Sequence, residues 1–160
     1  MSNIVLEKNV PLLAAYPIIL NKKIAKVCRK INFDDTGITW IIYNPTRQFS
    51  TNILLDLISR KATNDYGYCI PEINKIWIST KAIHADPYSL SLQINNDIQS
   101  FMKPNKDLLA DVILDEITHI QTRCNHRNPE YEKKYKENYD MYYFNSIECL
   151  IKSSLYSNIV

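Results

Sequence analysis

A β-rich run, a hairpin signal, and several apolar patterns at helical spacing together specify an α+β fold with a small antiparallel or mixed sheet. Size agrees with one domain: 160 residues and 18.7 kDa can bury a core, and 46% hydrophobic against 22% charged residues is the balance of an ordinary folded chain. No internal repeat or low-complexity linker divides it. Residues 1–160 are therefore read as one unit, with helices and a first strand in 1–65 and the motif-bearing core in 66–143.

Along the chain, Ile18 to Val27 has helical spacing and a basic face of Lys22, Lys23, Lys26 and Arg29, which predicts a helix packed on the domain. Thr36 to Tyr43, rich in β-branched and aromatic residues between Asp34-Asp35 and Asn44-Pro45, predicts a strand. Ser50 is placed to cap a helix carrying Ile53, Leu54, Leu57 and Ile58 on one side. Tyr66 to Ile70 and Ile73 to Thr80, parted near Pro71-Glu72, predict a hairpin in which Ile76 and Ile78 alternate with Lys75 and Trp77. Asp86-Pro87 opens a helical segment through Leu90, Ile94, Ile98 and Phe101, ending at Pro104, and Asn105 is the expected cap of the next helix. Asn128-Pro129 starts a last long helix. Its Tyr131, Tyr135, Tyr139, Tyr142 and Tyr143 recur at helical intervals, as expected of a stripe packing onto the sheet with hydroxyls at the water boundary.

The residues that carry chemistry lie on the helix beginning near Leu108. Asp115-Glu116-Ile117-Thr118-His119 is a DExxH version of HExxH, a helical pattern that sets two metal ligands four residues apart with a glutamate between them. At about 100° per residue, Asp115 and His119 project within roughly 40° of each other, and Ile113, Ile117 and Ile120 lie on a largely opposed face. One side can hold a metal while the other holds the core. Glu116, about 60° from His119 around the helix, can reach a water between the two ligands. His126 follows a polar turn, Gln121 to Asn125, that lets the chain double back.

Other assignments of these residues are weaker. Glu116-x-x-His119 is also the ExxH element of di-iron bundles, which need a second such element, and neither His84 nor His126 follows a glutamate at that spacing. Cys124, Glu130 and Glu132 are alternative ligands; a lone cysteine is usually a small hydrophobe, and Lys133, Lys134 and Lys136 mark a solvated charged face. Tyr135 and Tyr139 are candidate hydroxyl donors to an oxyanion. His84 is read as a surface or capping residue on a loop.

Asp115-Glu116-Ile117-Thr118-His119 followed by Asn125-His126-Arg127-Asn128-Pro129-Glu130-Tyr131 resembles the SprT-like and related minimal zincin metallopeptidases. Those proteins carry HExxH, a short loop, and a third histidine leading into a helix through a polar run and an aromatic. The resemblance runs from about Tyr66 to Tyr143, roughly half the chain. It implies a zincin-like fold with a hairpin packed on an active-site helix and a long C-terminal helix. It further implies Zn2+ held by Asp115, His119 and His126, Glu116 as the catalytic base, and hydrolysis of protein or peptide substrates. A substrate-binding edge strand falls, by the same resemblance, on Lys75, Ile76, Trp77 and Ile78. The departure is Asp115 in the first-ligand position: aspartate binds zinc, but it is shorter than histidine and its charge leaves a bound water less acidic. Two functions therefore stand as expectations: a zinc metalloendopeptidase, and an inactive zincin-like binding or structural subunit of a larger viral or phage assembly.

Composition narrows the partners. A net charge of +2 without clustered basic residues does not support nucleic-acid binding, so the family's action on DNA-bound proteins rests on analogy alone. Cys28, Cys69, Cys124 and Cys149 are scattered and form no CxxC, which suits a reducing, intracellular compartment. The apolar run from Val10 to Leu20 is short and broken by Pro11 and Pro17, so neither export nor a membrane span is expected. The expected location is the cytoplasm, or a virion for the assembly reading. Only 2 glycines beside heavy use of Asn, Ile, Lys and Tyr suits an AT-rich coding source such as a low-GC bacterium, a phage or a large DNA virus.

Overall fold

The computed structural model describes residues 1–8, 10, 15–45, 66–86 and 107–144. The helices expected after Ser50 and after Asp86-Pro87, and the expected cap Asn105, lie outside the described residues. Among those described, the strands are β1 (Asn3–Leu6), β2 (Thr39–Tyr43), β3 (Gly67–Ile70) and β4 (Lys75–Ser79). The helices are α1 (Ala15–Ile31), α2 (Thr80–His84), α3 (Leu108–Thr122) and α4 (Pro129–Tyr143). The fold is α+β, and its sheet is mixed in the order β1-β2-β4-β3, with β1/β2 and β2/β4 parallel and β3/β4 antiparallel.

Period-two alternation places Trp40, Ile42, Ile76 and Ile78 on one face, in register as Trp40 with Ile76 and Ile42 with Ile78. All four are fully buried, in one core with Leu20, Ile24 and Val27 of α1 and Leu109, Ile113, Leu114 and Ile117 of α3. Each such side chain contributes roughly 1.5–3 kcal/mol on burial, so this apolar face, rather than the helix ends, fixes α3 against the sheet. Gly67 lets β3 come close to that helix: a Cβ there would lie 2.8 Å from Val112 Cγ1 and 2.9 Å from the Trp77 carbonyl oxygen. No helix among the described residues is long and apolar enough to cross a membrane.

Several local expectations are corrected. The strand from Thr36 starts instead at Thr39, because the Asp34 carboxylate accepts from Thr36 N at 3.0 Å and Gly37 turns the chain at φ +87°. β1, a four-residue parallel edge, had no alternation long enough to mark it. The second hairpin strand ends at Ser79, whose hydroxyl accepts from Lys81 N at 3.0 Å and caps α2, so His84 closes a helix and is not on a loop. Its Nε2 lies 2.6 Å from the Tyr16 hydroxyl. Asp107 caps α3, accepting from Ala110 N at 3.1 Å.

Two side-chain faces also differ from expectation. Lys23 leaves the basic face of α1 and turns inward, its Nζ 3.0 Å from Asp86 Oδ1 and 2.5 Å from Asp107 Oδ2. The first is an ion contact off hydrogen-bond direction. The tyrosines of α4 face α3 and α1 rather than the sheet. Three of their hydroxyls are engaged by carboxylates: Tyr131 donates to Asp115, Tyr143 to Asp111 and Tyr142 to Asp107. The helix itself begins as expected, with Asn128 accepting from Glu130 N at 2.9 Å and Pro129 in the first turn.

Candidate metal centre

α3 carries Asp115 and His119 one turn apart on the side away from the core, and the turn after Thr122 brings His126 back over them. Arg123 makes this return possible by taking φ 54°, a left-handed C-cap whose N–H bonds to the His119 carbonyl at 2.8 Å. One donor atom from each of Asp115, His119 and His126 lies within 4.8 Å of the others. Asp115 Oδ1 is 3.3 Å from His119 Nε2 and 3.3 Å from His126 Nε2. Ligands about 2.0–2.1 Å from a tetrahedral zinc stand roughly 3.3–3.4 Å apart, so both separations fit the edge of that polyhedron.

The hydrogen bonding around the trio suits ligation. His119 Nδ1 donates to the Cys124 carbonyl at 2.7 Å, a partner that can only accept, so the neutral ring keeps its free lone pair on Nε2 beside Asp115. Tyr131, buried on the first turn of α4, donates to Asp115 Oδ1. Its ring stacks on both imidazoles, at 4.5 Å from His119 and 5.0 Å from His126. Burial would raise the Asp115 carboxyl, but, with the imidazoles protonated, a hydrogen bond from His119 and the charges of His126 and His119, together with the hydrogen bond from Tyr131, outweigh it and hold it below the usual range. Burial would lower His119; Asp115, the Cys124 carbonyl and Glu116 reverse this and raise it.

Glu116 is only 4% exposed and opens onto the same cleft. The Cys69 thiol on β3 lines the cleft with it, and burial, followed by the charge of Glu116, pushes that thiol well above its ordinary range. The cleft, about 550 Å³, runs between β3 and α3 and is lined at one end by Tyr66, Gly67 and Val112 and at the other by Arg123, Asn125 and His126.

The assignment of Lys75, Ile76, Trp77 and Ile78 as a substrate-binding edge is corrected. β4 is interior, paired with β2 on one side and β3 on the other, so its backbone has no open edge. Ile76 and Ile78 are sealed in the core, Trp77 stacks on Tyr68 at 4.7 Å on the far face, and none of the four lines the cleft. The edge beside α3 is β3. Ser79 N donates to the Tyr66 carbonyl at 2.9 Å, so by antiparallel alternation Gly67 and Cys69 point their N–H and C=O groups outward.

Of the alternative ligands, Cys124 contributes its carbonyl to His119 while its Sγ turns to Thr122 O and Glu130, and neither Glu130 nor Glu132 joins the cluster. Tyr135 stacks behind Tyr131, ring centroids 5.9 Å apart, and Tyr139 leans on Tyr143 at 4.5 Å; Tyr131 has the hydroxyl at the site. Tyr131 and Cys69 are the site residues that sequence reasoning missed. The one available signal was the position of Tyr131 in the first turn after His126, where a short loop must return it toward α3. Comparison with family models, with curated proteins and with solved structures finds no match.

Proposed function

We propose that this chain is a zinc-dependent, zincin-like peptidase related to the SprT-like group, with Zn2+ at Asp115, His119 and His126 and Glu116 as the general base. The observation that carries this reading is the pair of 3.3 Å separations from Asp115 Oδ1 to the two imidazole Nε2 atoms, beside a buried glutamate in an open cleft. A bound divalent cation supplies Lewis acidity, polarising a carbonyl and acidifying a water. The chain's own groups do the rest. Glu116 takes the proton from the attacking water and passes it to the leaving amine, a role worth about 10²–10⁴ in rate. An extended peptide adds to the edge of β3, which no strand among the described residues pairs, through Gly67 and Cys69, and this holds the scissile bond along the cleft.

The alternative, a metal-free binding or structural subunit, is favoured by one feature: Asp115 already accepts from Tyr131 and faces both imidazoles, a network that can stand without a cation. Incubation of the full chain with denatured casein separates the two. The peptidase reading expects cleavage that zinc supports and a chelator abolishes. Glu116→Gln should lose cleavage by about 10²–10⁴ while still binding zinc. Cleavage undiminished in Glu116→Gln would refute the base assignment, and a pure chain that neither binds zinc nor cleaves would establish the subunit reading.

A further inference from the structure

We propose that Tyr131 is the positioning residue that allows an aspartate to serve in the first-ligand place. This rests on the reading of Asp115, His119 and His126 as a cation site. Histidine presents one nitrogen along a rigid ring, whereas an aspartate can rotate its carboxylate and offers two oxygens. Tyr131 removes that freedom by donating to Oδ1, the oxygen that faces both imidazoles. A carboxylate oxygen has two lone pairs, so it can accept from the phenol and still face the histidines.

The same hydrogen bond shares the carboxylate's negative charge with the phenol, bringing the position closer to the neutral imidazole it replaces. The Tyr131 ring does a second job. It lies within 4° of the His126 plane and 22° of the His119 plane, and so backs both imidazoles on one surface. His126, 66% exposed, otherwise stacks only on His119 among the described residues. Tyr131 is itself fixed, 6% exposed on the first turn of a capped helix.

If the phenol acts through the carboxylate, it should matter only when the carboxylate is there. Zinc affinity is measured by competition with a chromogenic chelator in the intact chain, Tyr131→Phe, Asp115→His and the double variant. Asp115→Ala takes the place of Asp115→His if the latter does not fold. Tyr131→Phe keeps the ring and is expected to weaken zinc binding about 10–100-fold when Asp115 is present. With Asp115 replaced, the same change should alter affinity by less than about threefold, since the two effects are coupled through one contact. Cobalt-loaded Tyr131→Phe should also show shifted d–d bands. Equal losses in both backgrounds would make Tyr131 merely structural, and no loss with Asp115 present would end the proposal. If the intact chain binds no zinc, the cation site itself falls and this inference with it; binding that Tyr131→Phe leaves unchanged overturns only this inference.

Discussion

Asp115, His119 and His126 are held by three different kinds of contact, and their substitutions should differ accordingly. His119 is fixed by Nδ1 to a backbone carbonyl, Asp115 by a phenol, and His126 chiefly by ring stacking while remaining 66% exposed. His126→Ala should therefore change thermal stability of the metal-free chain by less than about 0.5 kcal/mol, the range of an ordinary surface substitution, while sharply reducing zinc binding. Paired melting and zinc-binding curves check this; equal damage to both would mean that His126 is structural. At this scale the pairing of Asp115 with His119 was legible, because helical spacing brings residues four apart together whatever the rest of the fold does, whereas His126 entered through the polar turn and the family resemblance. Tyr131 was not legible as part of it. Its hydroxyl meets Asp115 only because α4 doubles back across α3, a crossing that tyrosine spacing does not encode.

Between elements, the close approach of β3 to α3 shapes the cleft, and Gly67 governs it. In Gly67→Ala the new Cβ meets Val112 Cγ1 at 2.8 Å and the Trp77 carbonyl at 2.9 Å; the side chain can turn, but the carbonyl belongs to the sheet. Strain of this kind costs about 1–3 kcal/mol, so Gly67→Ala should lower the denaturation midpoint, and if β3 binds substrate it should weaken peptide cleavage too. An unchanged midpoint would show that β3 has room to move. The alternation of Ile76 and Ile78 marked a strand with one buried face, but period-two patterning says nothing of which neighbours use its backbone. For that reason the pattern could not tell that β4 lies inside the sheet and that β3 is the edge strand beside α3. β1 and α2, four and five residues long, are too short to carry a period of either kind.

Across the whole molecule, one ammonium ties together distant parts of the chain. Lys23 of α1 reaches Asp86, just beyond α2, and Asp107, the cap of α3, with side chains only 13%, 2% and 16% exposed. Lys23→Met leaves two carboxylates without their partner, and breaking a buried pair in this way costs about 3–5 kcal/mol, readable by chemical denaturation. A loss below about 1 kcal/mol would mean that water compensates the acids. Burial alone would lower the Lys23 pKa, but the hydrogen bond to Asp107 and the negative charges of Asp107 and Asp86 outweigh it, and the net shift is upward from 10.5. Its contribution is thus complete below pH 10.5 and lost as pH rises through the folded-state value, so intact chain and Lys23→Met should converge in stability only in strong alkali. The sequence showed a basic helix face here; only the packed molecule shows that one lysine of it turns inward.

All of the chemistry proposed above requires a cation to sit where Asp115, His119 and His126 meet. Calorimetric titration of zinc into the metal-free full chain, with zinc-edge absorption on the loaded protein, measures this directly. The expected result is one zinc per chain with two imidazoles among nitrogen and oxygen neighbours at about 2.0–2.1 Å, and loss of the site in both His119→Ala and His126→Ala. A chain that takes up no zinc, or one whose zinc is indifferent to the removal of either histidine, would contradict it.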